Sequence, residues 1–227
     1  MPRIARLIVP GYPHHITQRG NYRQIVFNDD ADKREYLELV ALYGKKFHLT
    51  ILSYCLMNNH VHFIIIPKNE DSLASTFRIA HTRYSQYFNK KIQAYGHLWQ
   101  GRFYSCVLDD RHLIATARYV ERNPVRVKIV KNPADYSWSS ARNHTGISHN
   151  DIIDTSDLFK YIEVKQKEWK KFIGESDEPD EVAVIRKYTM TGRPLGGVSF
   201  IQKLEKAFDK KLHALPVGRP KKAINKK

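Results

Sequence analysis

The chain has 227 residues, enough to bury a sizeable core, and 42% of them are hydrophobic, as in ordinary globular proteins. A formal charge of +15 at pH 7 points to a polyanionic partner, and nucleic acid fits better than a membrane because no apolar run approaches the ~18 residues of a span. The N-terminus lacks the apolar core of a signal peptide, so a cytoplasmic protein is expected, with Cys55 and Cys106 reduced inside core strands.

In chain order, Pro13 to Arg19 reads as a first strand closed by Gly20-Asn21. His14 and His15 face opposite ways in it, so at most one can join a shared site; a structural or DNA-contacting role is the expectation. Asn28-Asp29-Asp30 caps a helix with Tyr36, Leu37, Leu39, Val40 and Tyr43 at helical spacing, ending near Lys46. Leu49 to Met57 is a second strand, and Asn58-Asn59 turns it into a third, His60-Val61-His62-Phe63-Ile64-Ile65-Ile66. His60 and His62 share one face of that strand, while Val61, Phe63 and Ile65 share the other, which is apolar and suits a helix layer. Two imidazoles at i and i+2 can bind one divalent metal with one or two further ligands; the plain alternative is a pair of histidines on an exposed face.

Asn69-Glu70-Asp71-Ser72 caps a long amphipathic helix with Leu73, Phe77, Ala80, Tyr84, Tyr87 and Phe88 on its apolar side and Arg78, His81, Arg83, Lys90 and Lys91 on the other. Trp99-Gln100-Gly101-Arg102-Phe103-Tyr104 then mixes aromatic and basic groups, which suits stacking on unpaired bases as well as core packing. Phe103 to Leu108 is a fourth strand. The order β-α-β-β-α-β has as its compact solution an α+β, ferredoxin-like sheet with helices on one face. Asp109-Asp110 caps the next helix, which runs until Pro124 and sets Leu113, Ile114, Ala117 and Val120 on a core stripe. Tyr119 and Asn123, one turn apart on a neighbouring arc, can lean toward the two histidines; the plain alternative for Tyr119 is a packing residue beside the core stripe, the commoner role for such a tyrosine. Arg111, Arg118, Arg122 and Arg126 around them would hold a phosphodiester and favour the ionised phenol.

Asn59-His60-Val61-His62, taken with Arg118-Tyr119-Val120-Glu121-Arg122-Asn123-Pro124-Val125-Arg126, resembles the single-tyrosine HUH transposases, and within them the REP-associated tyrosine transposases. Gln100-Gly101-Arg102-Phe103 and Asp135-Tyr136-Ser137-Trp138-Ser139-Ser140 also resemble stretches of that family, so the likeness covers about residues 1–145. The resemblance implies a ferredoxin-like catalytic domain with an extra helix bearing the catalytic tyrosine, and single-stranded DNA hairpins of REP-like sequence as substrate. It further implies Tyr119 as nucleophile and a divalent metal, Mg2+ or Mn2+, held by His60, His62 and Asn123, with no nucleotide cofactor. A rolling-circle or relaxase-type initiator would share this chemistry, and a non-catalytic DNA-binding repressor would share the fold.

Residues 146–180 read as a helical segment, in which Trp169 and Phe172 can dock a helix on the core, followed by a linker from Glu175 to Asp180. From residue 181 onward, 12 basic and 3 acidic residues suggest a helical DNA-binding extension with a Ser199-capped helix to about Leu212. Its tail, Gly218-Arg219-Pro220-Lys221-Lys222, is either a nucleic-acid arm or a solvated disordered segment. DNA contacts are expected from Arg78, Arg83, Trp99, Arg102, Arg118, Arg122, Arg126, Arg193, Arg219, Lys221 and Lys222, in a monomer or homodimer.

Overall fold

The structure, a computed structural model, describes residues 6–213. Strands β1 (His14–Arg19), β2 (Leu49–Met57), β3 (His60–Pro67) and β4 (Tyr104–Val107) form an antiparallel sheet in the order β2-β3-β1-β4. Helices α1 (Asp30–Lys46) and α2 (Ser72–Lys91) make the two crossovers, so the architecture is α+β and ferredoxin-like. The Asp29 carboxylate accepts the Asp32 backbone N–H and starts α1 where the sequence places it. Val61, Phe63 and Ile65 join Ile16, Tyr54 and Leu56 on one sheet face and pack against Tyr36, Leu37, Phe77 and Tyr84 of these helices. The turn before His60 is tied down, because the Asn58 and Asn59 carbonyls accept the N–H groups of Val26 and Gly20. Gly20 is required there: a Cβ would lie 2.4 Å from the Gln24 carbonyl oxygen.

The expectation of helices on one face alone is corrected by α3 (Asp110–Glu121), α4 (Asn123–Arg126), α5 (Ala141–His144), α6 (Leu158–Tyr161), α7 (Gln166–Gly174) and α8 (Pro179–Thr191). Ala117, Val120, Trp169, Ile173 and Ile185 from this layer share one core with Leu52, Ile64 and Cys106 of the sheet's second face. Leu158, Trp169, Ile173, Val182 and Ile185, all beyond residue 145, are thus built into the core of the sheet. Pro124 does not stop the helical path either. Arg122 is the joint, and Pro124 falls in the first turn of α4, where its missing N–H costs nothing. The expected linker is in fact clamped by arginines, as described below, and Pro179 already opens α8. The stretch after α8 zips onto β4 through Leu195 N–H to Val107 O and Asp109 N–H to Leu195 O. Helix α9 (Val198–Phe208) follows, with Leu204 buried against Leu7, Val9 and Val107. Arg219, Lys221, Lys222 and the tail around them lie outside the described residues. Cys55 and Cys106 are buried and free. Among the described residues no helix is long and apolar enough to cross a membrane.

His81 departs from its expected place on the polar face of α2: it is buried, hydrogen-bonded to the Tyr36 hydroxyl at 2.9 Å. Burial, helped by the Arg6 charge, takes its pKa from 6.5 to about 3, and burial takes His14 to about 4 against the opposing Tyr12 carbonyl. The unfolded chain takes up protons on both residues as pH falls below 6.5, while the fold does not, so each costs about 1.4 kcal/mol of stability per pH unit down to about pH 4. Denaturant midpoints should therefore be clearly lower at pH 5 than at pH 7; equal midpoints would contradict this.

Candidate active site

The strand register gathers the site. Arg19 lies opposite His60, Thr17 opposite both His62 and Tyr104, and His15 opposite Cys106, so all of these share the sheet's second face. The His60 and His62 rings meet edge to face with centroids 5.1 Å apart. Helix α3 lays Tyr119 across them, its ring edge-on to His62 at 5.7 Å and to His15 at 5.8 Å. The Arg126 guanidinium covers the Tyr119 ring at 4.1 Å from its centroid. Asn123, one turn beyond Tyr119, is buried and faces the same cavity as His60. His15, His60, His62, Tyr119 and Asn123 line a cavity of about 400 Å3 that Arg186, Thr189 and Met190 of α8 complete.

Both ring nitrogens of each histidine matter for what the cavity can hold. Burial, then the Arg19 charge, moves His60 from 6.5 to about 4 although the neighbouring Asn123 amide opposes the shift, with Arg126 and Arg186 adding to the fall. His62 is held well below its ordinary value by burial first and then by the neighbouring His60 and His15, and burial takes His15 to about 3. All three are neutral at pH 7 and each keeps one ring lone pair. The Asn59 amide group donates to the Arg23 carbonyl at 3.2 Å, so its oxygen accepts His60 Nδ1–H at 2.6 Å. That leaves the lone pair of His60 on Nε2. The Asn123 amide nitrogen is buried without a partner, as it would be if its oxygen were turned to a ligand. Among the described residues no three His, Cys, Asp or Glu side chains gather as a metal set, so a metal here depends on Asn123 as the third protein donor. Imidazole nitrogen with amide oxygen fits Mn2+ comfortably and Mg2+ acceptably.

Several expected DNA contacts are spent elsewhere. Arg118 donates to the carbonyls of Phe172, Glu175 and Ser176, and Arg122 to the Ile173 carbonyl and the Asp177 carboxylate; each is 6% exposed. Arg126 donates to Asp177 and to the Tyr119 carbonyl. The reason is that α7 and α8 cover the face of α3 that a helical wheel leaves to solvent. Trp99 is likewise a core residue, packed on His81 and Tyr36. Arg78, Arg83 and Arg102 are exposed, and Arg78 and Arg102 line a larger concavity of about 720 Å3 between α2 and residues 96–103. Arg193 is half-buried and donates to the His213 carbonyl. Arg19, Gln100, Arg186 and Thr189 are cavity residues that sequence reasoning missed. The strand alternation that puts His62 on a shared face also puts Arg19 there, once the pairing of β1 with β3 is given.

The chain belongs to the IS200-like transposase family: the family's model matches residues 9–123, that is 115 of 227 residues, and this span contains His60, His62, Tyr119 and Asn123. Among solved structures, that of a REP-associated tyrosine transposase bound to a REP hairpin is similar in fold, with a TM-score of 0.54 and 18% identity over 69% of this chain and 96% of that one. A putative transposase from Deinococcus radiodurans R1 matches with a TM-score of 0.38 and 16% identity, over 53% of this chain and 97% of that one. No curated protein matches.

Proposed function

We propose that this transposase belongs to the REP-associated branch and nicks and rejoins single-stranded DNA at hairpin-forming, REP-like repeats. Tyr119 is the nucleophile, and His60, His62 and Asn123 hold a divalent metal. The observation that carries the reading is the Tyr119 ring set edge-on to His62 in a cavity that also holds His60, Asn123, Arg19 and Arg186. A phenol is a weak nucleophile and a 3′ oxygen a poor leaving group, and a bound metal supplies the charge neutralisation at a non-bridging phosphate oxygen that both need. The Tyr119 oxygen bonds to phosphorus as the bond to the 3′ oxygen breaks. The phenol loses its proton and the departing oxygen gains one, leaving a 5′-phosphotyrosine and a free 3′-hydroxyl. That hydroxyl, or another, can reverse the step in the same site. Arg19 and Arg186, both exposed, stand ready for the phosphates beside the scissile bond. The groove carrying Arg78 and Arg102, lined by α2 and residues 96–103, offers the flanking strand a basic track.

Incubation with labelled hairpins and Mn2+ or Mg2+ should give an adduct that survives denaturing electrophoresis. His60→Ala and His62→Ala each remove one of three protein donors, so both should weaken Mn2+ binding by calorimetry and eliminate cleavage while sparing hairpin affinity. Unchanged metal affinity in both variants would reject the ligand set. The basic tail is tested separately. Residues 214–227 carry five cations and no acidic residue, so a chain ending at His213 should lose up to about 4 units from the slope of log K against log salt. Cleavage at saturating DNA should persist, because the cavity is intact; an unchanged slope would remove the tail from the DNA interface.

A further inference from the structure

Helix α8 reaches the histidine pair through a chain of three hydrogen bonds whose direction can be read by counting protons. The Thr189 hydroxyl lies 2.7 Å from the Ile185 carbonyl one turn earlier, and a carbonyl can only accept, so the single hydroxyl proton goes there. The same Thr189 oxygen lies 2.8 Å from His15 Nδ1, so in that contact the ring nitrogen is the donor. A neutral His15 then has its lone pair on Nε2, which is 2.9 Å from His62 Nδ1. His62 must donate, and its own lone pair is left on Nε2. His15, His62 and Thr189 are all buried, so water does not compete for these positions.

We propose that Thr189 and His15 are positioning residues that lock His62 in its Nδ1–H tautomer and so aim its Nε2 lone pair, and that α8 is for this reason a working part of the active site. The inference rests on the reading of His62 as a metal ligand. His60 reaches the same tautomer independently, through the Asn59 amide oxygen. The two histidines of the pair therefore present like nitrogens, one held from the β2–β3 turn and one from a helix near the other end of the chain. Neither Thr189 nor His15 touches the reacting phosphate in this scheme; each acts through His62. A hydrogen-bond acceptor behind a metal-binding imidazole fixes ring orientation and raises ligand basicity, and losing such a partner lowers metal affinity by about tenfold to a hundredfold.

Thr189→Val keeps the shape and removes the hydroxyl, while Thr189→Ser restores it. Nitrogen-15 imidazole spectra of the metal-free chain at pH 7.5 should report His62 as the Nδ1–H tautomer in the wild type and in Thr189→Ser, and as a mixture in Thr189→Val. Calorimetric titration with Mn2+ should show affinity reduced about tenfold or more in Thr189→Val and within about twofold of wild type in Thr189→Ser. Equal unfolding midpoints for the Val and Ser variants separate this effect from loss of fold. A wild-type His62 found as Nε2–H, or a Thr189→Val chain with unchanged spectrum and unchanged Mn2+ affinity, would overturn the proposal. If the wild type shows the Nδ1–H tautomer yet binds no Mn2+, the tautomer lock stands and the metal reading of the site fails.

Discussion

Tyr119→Phe is expected to abolish the covalent DNA adduct and to cut single-turnover strand cleavage by at least about a thousandfold, or ~4 kcal/mol of transition-state stabilisation. Only the phenolic oxygen is removed. The ring still packs edge-on to His15 and His62 and still lies under Arg126, so folding should be preserved. Metal affinity and hairpin affinity should also stay near the wild type, since His60, His62, Asn123 and the basic surfaces are untouched. An adduct that persists in this variant would move the nucleophile to another residue. Tyr104 is the first to examine, as it lines the same cavity.

Glu121→Ala should be the most destabilising single change in the helix that bears Tyr119. Glu121 is fully buried, and its carboxylate accepts from the Ser140 hydroxyl at 2.6 Å, the Trp169 indole N–H at 2.8 Å and His144 Nδ1. His144 Nε2 faces the Thr155 carbonyl at 2.9 Å, so both ring nitrogens donate and the ring is an imidazolium. Burial alone would lower the pKa of His144, but the charge and hydrogen bond of Glu121, with the Thr155 carbonyl, outweigh it and raise the value above 6.5. Removing the carboxylate strands a buried cation and two further donors, which costs about 3–5 kcal/mol. A denaturant midpoint that reports less than about 1 kcal/mol would refute this account. The sign with pH is opposite to that of His14 and His81. A raised folded pKa gives stability that is fully present below pH 6.5 and fades as pH rises through the elevated value. In Glu121→Ala that alkaline decline should be absent.

The histidine strand was legible because a buried strand writes its faces directly into its sequence, and His60-Val61-His62 alternates where Val61, Phe63 and Ile65 must be apolar. The spacing of Tyr119 and Asn123 was legible for the matching helical reason, and it survives the joint at Arg122. The fates of Arg118 and Arg122 were not. A helical wheel says which residues share an arc, but not what later covers that arc. The cover comes from α7 and α8, elements of 9 and 13 residues whose buried positions, among them Trp169, Ile173 and Ile185, are too few per helix to set a strong period. The partnership of His15 with Thr189 was invisible for a simpler reason. It joins residues 174 positions apart, and nothing local in either segment names the other.

That separation bears on when in its life the protein becomes able to cut DNA. A chain leaving the ribosome has its β1 histidine in place early and Thr189 only 174 residues later. Elements synthesised first can pair and pack as they emerge, but the last wall of the cavity, with Arg186 and the support for His62, arrives only after all four strands have been made. The transposase is thereby kept from a complete cavity while α8 is still to be made. Stalled nascent chains ending at residue 180 should accordingly bind hairpin without forming adduct, and chains long enough to expose residue 213 should form it.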